Sequence, residues 1–160
     1  MTMPSFVEVP MAEAKRSMLL KVGAILWIIW GLVHLLAGVI VLTSDATGSV
    51  QAIADADPAA TLAMDYPAAA GGILNQHGWN LGWFGLATII GAVFIWQSNM
   101  TAIWVTALIG GLAALGYLLF VDLPGYVNFF PGTLMTLISG SAIVLTFLPW
   151  FSIRRGTAEV

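Results

Sequence analysis

Four long apolar runs, separated by polar breaks, dominate the chain. The first extends from Leu19 to Thr43 and is interrupted only by Lys21 at its edge and His34 in its interior. The second covers Gly78 to Trp96, with Pro67 as an earlier residue suited to a first helical turn; the third is Thr101 to Val121, and the fourth Phe130 to Phe151. At 1.5 Å per residue, each is long enough to cross a hydrocarbon core of about 30 Å, which takes roughly 20 residues. Backbone groups in lipid must be satisfied within the segment, so the runs predict helices; a β-barrel would show short alternating segments. The expected fold is therefore all-α, an antiparallel four-helix transmembrane bundle. Its spans are about 19–43, 76–97, 101–121 and 130–151, with an outer loop 44–75, an interfacial N-terminal segment 1–18 and a tail 152–160.

Small residues recur at heptad spacing within these runs, the pattern that lets helix backbones approach closely in left-handed bundles. The first run carries Ala24, Gly31 and Gly38, the second Gly78, Gly85 and Ala92, and the fourth Gly132, Ser139 and Thr146. In the fourth, Thr136 and Ile143 complete a 4-3-4-3 rhythm, predicting a small and polar seam that points inward. The third run offers Thr106, Gly110, Ala113 and Tyr117 on a similar step.

Composition identifies the solvent. The 160 residues are 59% hydrophobic and only 8% charged, with a mean hydropathy of +0.94, which leaves too few polar side chains to cover a water-soluble surface. Five Lys and Arg against eight Asp and Glu exclude a nucleic-acid binder, because no basic stripe can be assembled. All five basic residues flank the first and fourth runs (Lys15, Arg16, Lys21, Arg154 and Arg155), whereas Asp45, Asp55, Asp57, Asp65 and Asp122 occupy the connections expected on the other side. Positive residues stay inside, so both termini are expected to be cytoplasmic in a cell (inner) membrane protein. The first apolar run exceeds the 7–15 residues of a signal-peptide core and is read as a retained span. The long connection after it is expected to hold one or two short surface helices, Ser49 capping a turn through Val50, Ile53 and Ala54 that Pro58 ends.

No cysteine is present, which removes disulfides, thiolate metal sites and cysteine nucleophiles. The ionisable inventory inside the apolar runs then reduces to very few groups, and an intramembrane ionisable residue is a functional-site candidate. His34 lies three residues after Gly31 and four before Gly38, on the seam of the first run. Counting helical rises from the inner edge puts His34, Tyr117, Asn80 and Thr136 level with one another, roughly 21–24 Å up. An uncharged imidazole there can donate from one nitrogen and accept at the other. Asn80 is about 200° from Gly78, so either the glycines or the stripe His77, Asn80, Phe84, Thr88 faces the centre; the stripe is expected to, with the glycines on a flanking helix or another subunit. His77 is expected near the outer interface, roughly 8 Å above His34. Asp122 ends the third span where its carboxylate could face the same cavity, or simply serve the turn before Pro124.

The candidate ligand-binding residues are thus His34, Tyr117, Asn80, Thr136, His77 and Asp122. They suit a binding or accessory protein holding a lipophilic small molecule, a membrane lipid or quinone-like head group, or a partner helix in a homo-oligomer or membrane complex. The same groups could instead only fix helix register. A proton-coupled or small-solute transporter is the first alternative, with Thr88, Thr106, Ser139 and Thr146 as a partial polar path. A haem or chlorophyll-type pigment held by His34 is another, without support from any specific motif. Acid–base catalysis by His34 and Asp122 is the least favoured, since no nucleophile or metal cluster accompanies them.

Overall fold

The computed structural model describes residues 11–54 and 66–157, and among these every regular element is helical. Helix α1 is Met11–Thr43, α2 the short Ala46–Ile53, and α3 Ala68–Trp96. Helix α4 runs from Met100 to Asp122 and contains two π-turns, Ala107–Gly111 and Leu118–Asp122. A further π-turn, Phe129–Thr133, with Phe130 in extended backbone, leads into α5, Leu134–Thr157. Four of these stretches are long and apolar enough to cross a membrane: Met18–Thr43, Ala68–Trp96, Met100–Asp122 and Phe129–Pro149. Only 22–28% of each is buried within the chain, and side chains such as Leu36, Leu112 and Val144 lie outside. An exterior this apolar is stable in lipid or against another apolar surface, not in water.

Glycine contacts set how the helices meet. A Cβ on Gly31 would fall 2.7 Å from the Gly85 carbonyl oxygen, and one on Gly38 would fall 2.6 Å from Gly82 N and 2.7 Å from Gly78 O. Helices α1 and α3 therefore touch backbone to backbone, along the two heptad series that the sequence marks. Gly23 of α1 is held as closely by Thr146 of α5. Ser139 and Thr146 are buried and satisfy their hydroxyls on their own helix, through Thr136 O at 2.9 Å and Ala142 O at 2.8 Å. Inward polarity here is thus compatible with close association. At the other end, Lys21 lies over the Trp96 ring, 5.6 Å from its centroid, joining the start of the first span to the end of the second.

Three local expectations change. Helical backbone begins at Met11, well before Leu19, so part of the N-terminal segment continues the first helix. The cap of α2 is Asp45, whose carboxylate accepts from Gly48 N at 2.7 Å, rather than Ser49. Ser49 is buried and donates to Val41 O at 3.1 Å, which ties α2 down onto α1. In α4 the buried residue after Gly110 is Ala114 and not Ala113, because a π-turn holds an extra residue and moves the inward face one position along. Pro58, Asp55, Asp57 and Asp65 lie outside the described residues.

A paired substitution tests the glycine contact. A Cβ on Gly85 would meet the Gly31 carbonyl and Leu35 backbone, whereas one on Gly82 meets nothing within 4 Å. Gly85→Ala should lose about 1–3 kcal/mol through overpacking against backbone, and Gly82→Ala should be neutral or gain up to about 1 kcal/mol of helix propensity. Unfolding of both variants in detergent micelles measures the difference.

Candidate functional site

Where α2 lies across the bundle, the four long helices part to leave a cavity of about 110 Å³. Its wall carries His34 from α1, His77 from α3, Tyr117 from α4 and Thr136 from α5, set among Val33, Ala37, Leu81, Ala114 and Met135. Ala52 and Ile53 of α2 also line it, as do Pro131 and Gly132 of the π-turn before α5. Four of the six sequence-predicted residues thus border one space.

His34 is fixed by its own helix. Its Nδ1 lies 2.8 Å from the Trp30 carbonyl oxygen. A carbonyl only accepts, so Nδ1 carries the proton and Nε2 keeps its lone pair. The ring stacks on Trp30, centroids 3.5 Å apart and planes 19° apart, and Trp30 in turn meets the edge of Trp27 at 5.9 Å. Both tryptophans are buried, Trp27 completely, and Trp30 forms part of the cavity wall. They fill the core rather than face lipid. Trp79, Trp83, Trp96 and Trp104 lie outside, as belt residues do.

The other three groups come from distinct local features. His77 lies beside Gly78, which packs against Val41 and Gly38, about 6–10 Å further along α1 than His34. The two histidines thus stand level with different positions along α1, yet both border the same cavity. Tyr117 places its hydroxyl beside Gly132, where a Cβ would stand 2.9 Å from the oxygen and 2.9 Å from Val127 Cβ. Thr136 Oγ1 is buried and has no hydrogen-bond partner. Its i−4 carbonyl belongs to Gly132, within the π-turn, and the usual back-bond of a helical threonine is not made.

Two predicted residues are elsewhere. Asn80 does not border the cavity; its Oδ1 accepts from Trp83 Nε1 at 3.2 Å. The residue one turn after His77 is Leu81, and Leu81 takes the place on the wall. The expectation that a single stripe His77, Asn80, Phe84, Thr88 turns inward is corrected: Thr88 is buried with the glycines, one turn after Gly85, while Phe84 packs against the edge of the core. Asp122 does not line the cavity either. Its Oδ1 accepts from Thr133 Oγ1 at 2.7 Å, joining the end of α4 to the turn that enters α5, and its Oδ2 is buried without a partner. Sequence reasoning missed Trp30 as a wall residue, although its position four residues before His34 was signal enough. It also missed Ala52 and Ile53, whose helix has only the alternation of small and apolar residues to announce it.

Among the described residues, no group of three His, Asp or Glu gathers as a metal site. Comparison with family models, curated proteins and solved structures finds no match to this chain. The Asp122 link is testable apart from any ligand. Thr133→Val keeps the shape and leaves Oδ1 as well as Oδ2 without a partner, so it should lower stability by about 1–3 kcal/mol. Asn80→Ala, at an interaction on the outer face, should change it by less than about 1 kcal/mol; thermal unfolding in micelles compares the two.

Proposed function

We propose that this chain is a multi-pass protein of the cytoplasmic membrane that binds a small amphiphilic molecule, its polar head held between His34, His77, Tyr117 and Thr136. In this reading the four spans form an antiparallel bundle with both termini in the cytoplasm. The cavity then opens toward the outer leaflet, and α2 forms part of its roof.

The observation that carries the reading is the convergence of four polar side chains, one from each long helix, on one apolar-walled cavity. Mere register-fixing would pair these groups with each other. Instead His34 bonds its own helix and Thr136 Oγ1 is left without a partner, although a buried hydroxyl without one costs about 1–3 kcal/mol. At about 110 Å³ the cavity holds no more than a ligand head of one ring, since an engineered protein cavity of about 150 Å³ takes up benzene. That favours a quinone-like or phenolic head over a tetrapyrrole. Transport is the weaker reading because three of the four path residues, Thr88, Ser139 and Thr146, return their hydroxyls to carbonyls of their own helices. That leaves Thr106 as the one buried hydroxyl of that path without a partner, and Trp27 and Trp30 fill the space below the cavity.

Solvent extraction of the protein purified in mild detergent, followed by mass spectrometry, tests the proposal. A lipophile enriched over bulk membrane lipid, and reduced about tenfold in His34→Ala, is the expected result; tenfold corresponds to ~1.4 kcal/mol, about one hydrogen bond. An unchanged lipid profile in a His34→Ala protein of wild-type stability contradicts it. The absorption spectrum of the same sample detects a haem or pigment.

A further inference from the structure

Thr136 has a second neighbourhood. Besides the cavity, it borders a shallow groove of about 470 Å³ on the outside of α5, formed with Leu137, Gly140, Ser141, Val144 and Leu145. Gly140 forms the floor of this groove: it is exposed, and a Cβ there would meet nothing within 4 Å. Cavity and groove thus share one residue, and that residue carries a buried hydroxyl without a partner.

Resting on the reading above, we infer that the ligand is a single-tailed amphiphile whose head bears a hydroxyl donor, the hydroxyl donating to His34 Nε2 in the cavity and the tail passing Thr136 to lie along the α5 groove. The head chemistry follows from the imidazole. Because Nδ1–H is committed to the Trp30 carbonyl, Nε2 can only accept, and among the described residues it has no partner. With Nδ1 tied back to its own helix, the rest of the ring projects into the cavity that it borders. A phenol or quinol hydroxyl supplies the missing proton; a quinone carbonyl or an ether supplies none. Thr136 Oγ1 can donate to or accept from the same head. The tail chemistry follows from the groove, which is apolar apart from two hydroxyls, lies on an exposed side of α5 that lipid would cover, and has Thr136 as its common border with the head site. An alkyl or prenyl chain fills such a groove; a second copy of the chain is the competing occupant.

The experiment measures saturable binding of para-decylphenol, its methyl ether and para-cresol to the full chain in nanodiscs, against empty nanodiscs. Wild type, Gly140→Ala and Gly140→Phe are compared. Gly140→Phe fills the groove without touching the cavity. The phenol should bind at least tenfold more tightly than its methyl ether. Gly140→Phe should weaken decylphenol at least tenfold while leaving para-cresol unchanged, and Gly140→Ala should have a smaller effect. Equal binding of phenol and ether overturns the donor assignment while leaving the cavity as the binding site. Equal decylphenol affinity in wild type and Gly140→Phe overturns the tail assignment, and loss of a dimer in that variant gives the groove to a second copy. Failure of all three compounds to bind overturns this inference and, if extraction also yields no lipophile, the proposed function with it.

Discussion

The backbone contact between Gly31 and Gly85 is the constraint on which the other features depend. In an apolar solvent there is no hydrophobic force to press one greasy helix on another, so association rests on close atomic contact along surfaces that allow it. With hydrogen in place of a side chain at Gly31, Gly38, Gly78 and Gly85, the axes of α1 and α3 come together to backbone distance. Helix α5 then fits against Gly23 through Thr146, and Gly110 of α4 receives the Trp27 ring. The two tryptophans that this arrangement buries are the largest side chains in the interior. They fill the bundle on one side of His34, and beyond it the helices separate enough to leave a cavity.

That cavity is polar where polarity is costly. A lipid-exposed face made of leucine and valine tolerates no unpartnered hydroxyl, and an interior this small could have been closed with alanine. Instead the chain places two π-turns at this end of the molecule, at the start and end of the connection between α4 and α5, and a third lower in α4, against Trp27. One consequence is visible at Thr136, where the preceding turn departs from α geometry and the hydroxyl loses the carbonyl it would otherwise use. Wide turns inside helices recur at functional sites, and the two in α4 flank the stretch that carries Ala114 and Tyr117 on the cavity wall.

Much of this was legible in one sequence, because the signals involved are periodic. The heptads of small residues marked the faces that meet. Counting rises at 1.5 Å placed His34, Tyr117 and Thr136 on one level, and they share one cavity. What was not legible depends on departures from regular geometry. A π-turn exchanged Ala113 for Ala114, which no regular period anticipates. Asn80 was level with the others, but height alone does not determine which way a side chain points, and a nearby Trp83 captured its carbonyl oxygen. Asp122 found Thr133 because a turn of the chain brought them together across eleven residues. The roof contributed by Ala52 and Ile53 depends on Ser49 reaching back eight residues to the Val41 carbonyl, a bond with no sequence signature.

The orientation of a single imidazole decides whether this cavity can hold a ligand, and solid-state NMR in lipid bilayers reads it directly. In a His77→Gln background, labelled His34 is the only histidine. The expected spectrum shows a protonated Nδ1 and an unprotonated Nε2, with through-space correlations from the ring to Tyr117 and Thr136. A protonated Nε2, or ring correlations to lipid acyl chains in place of those two residues, would contradict it.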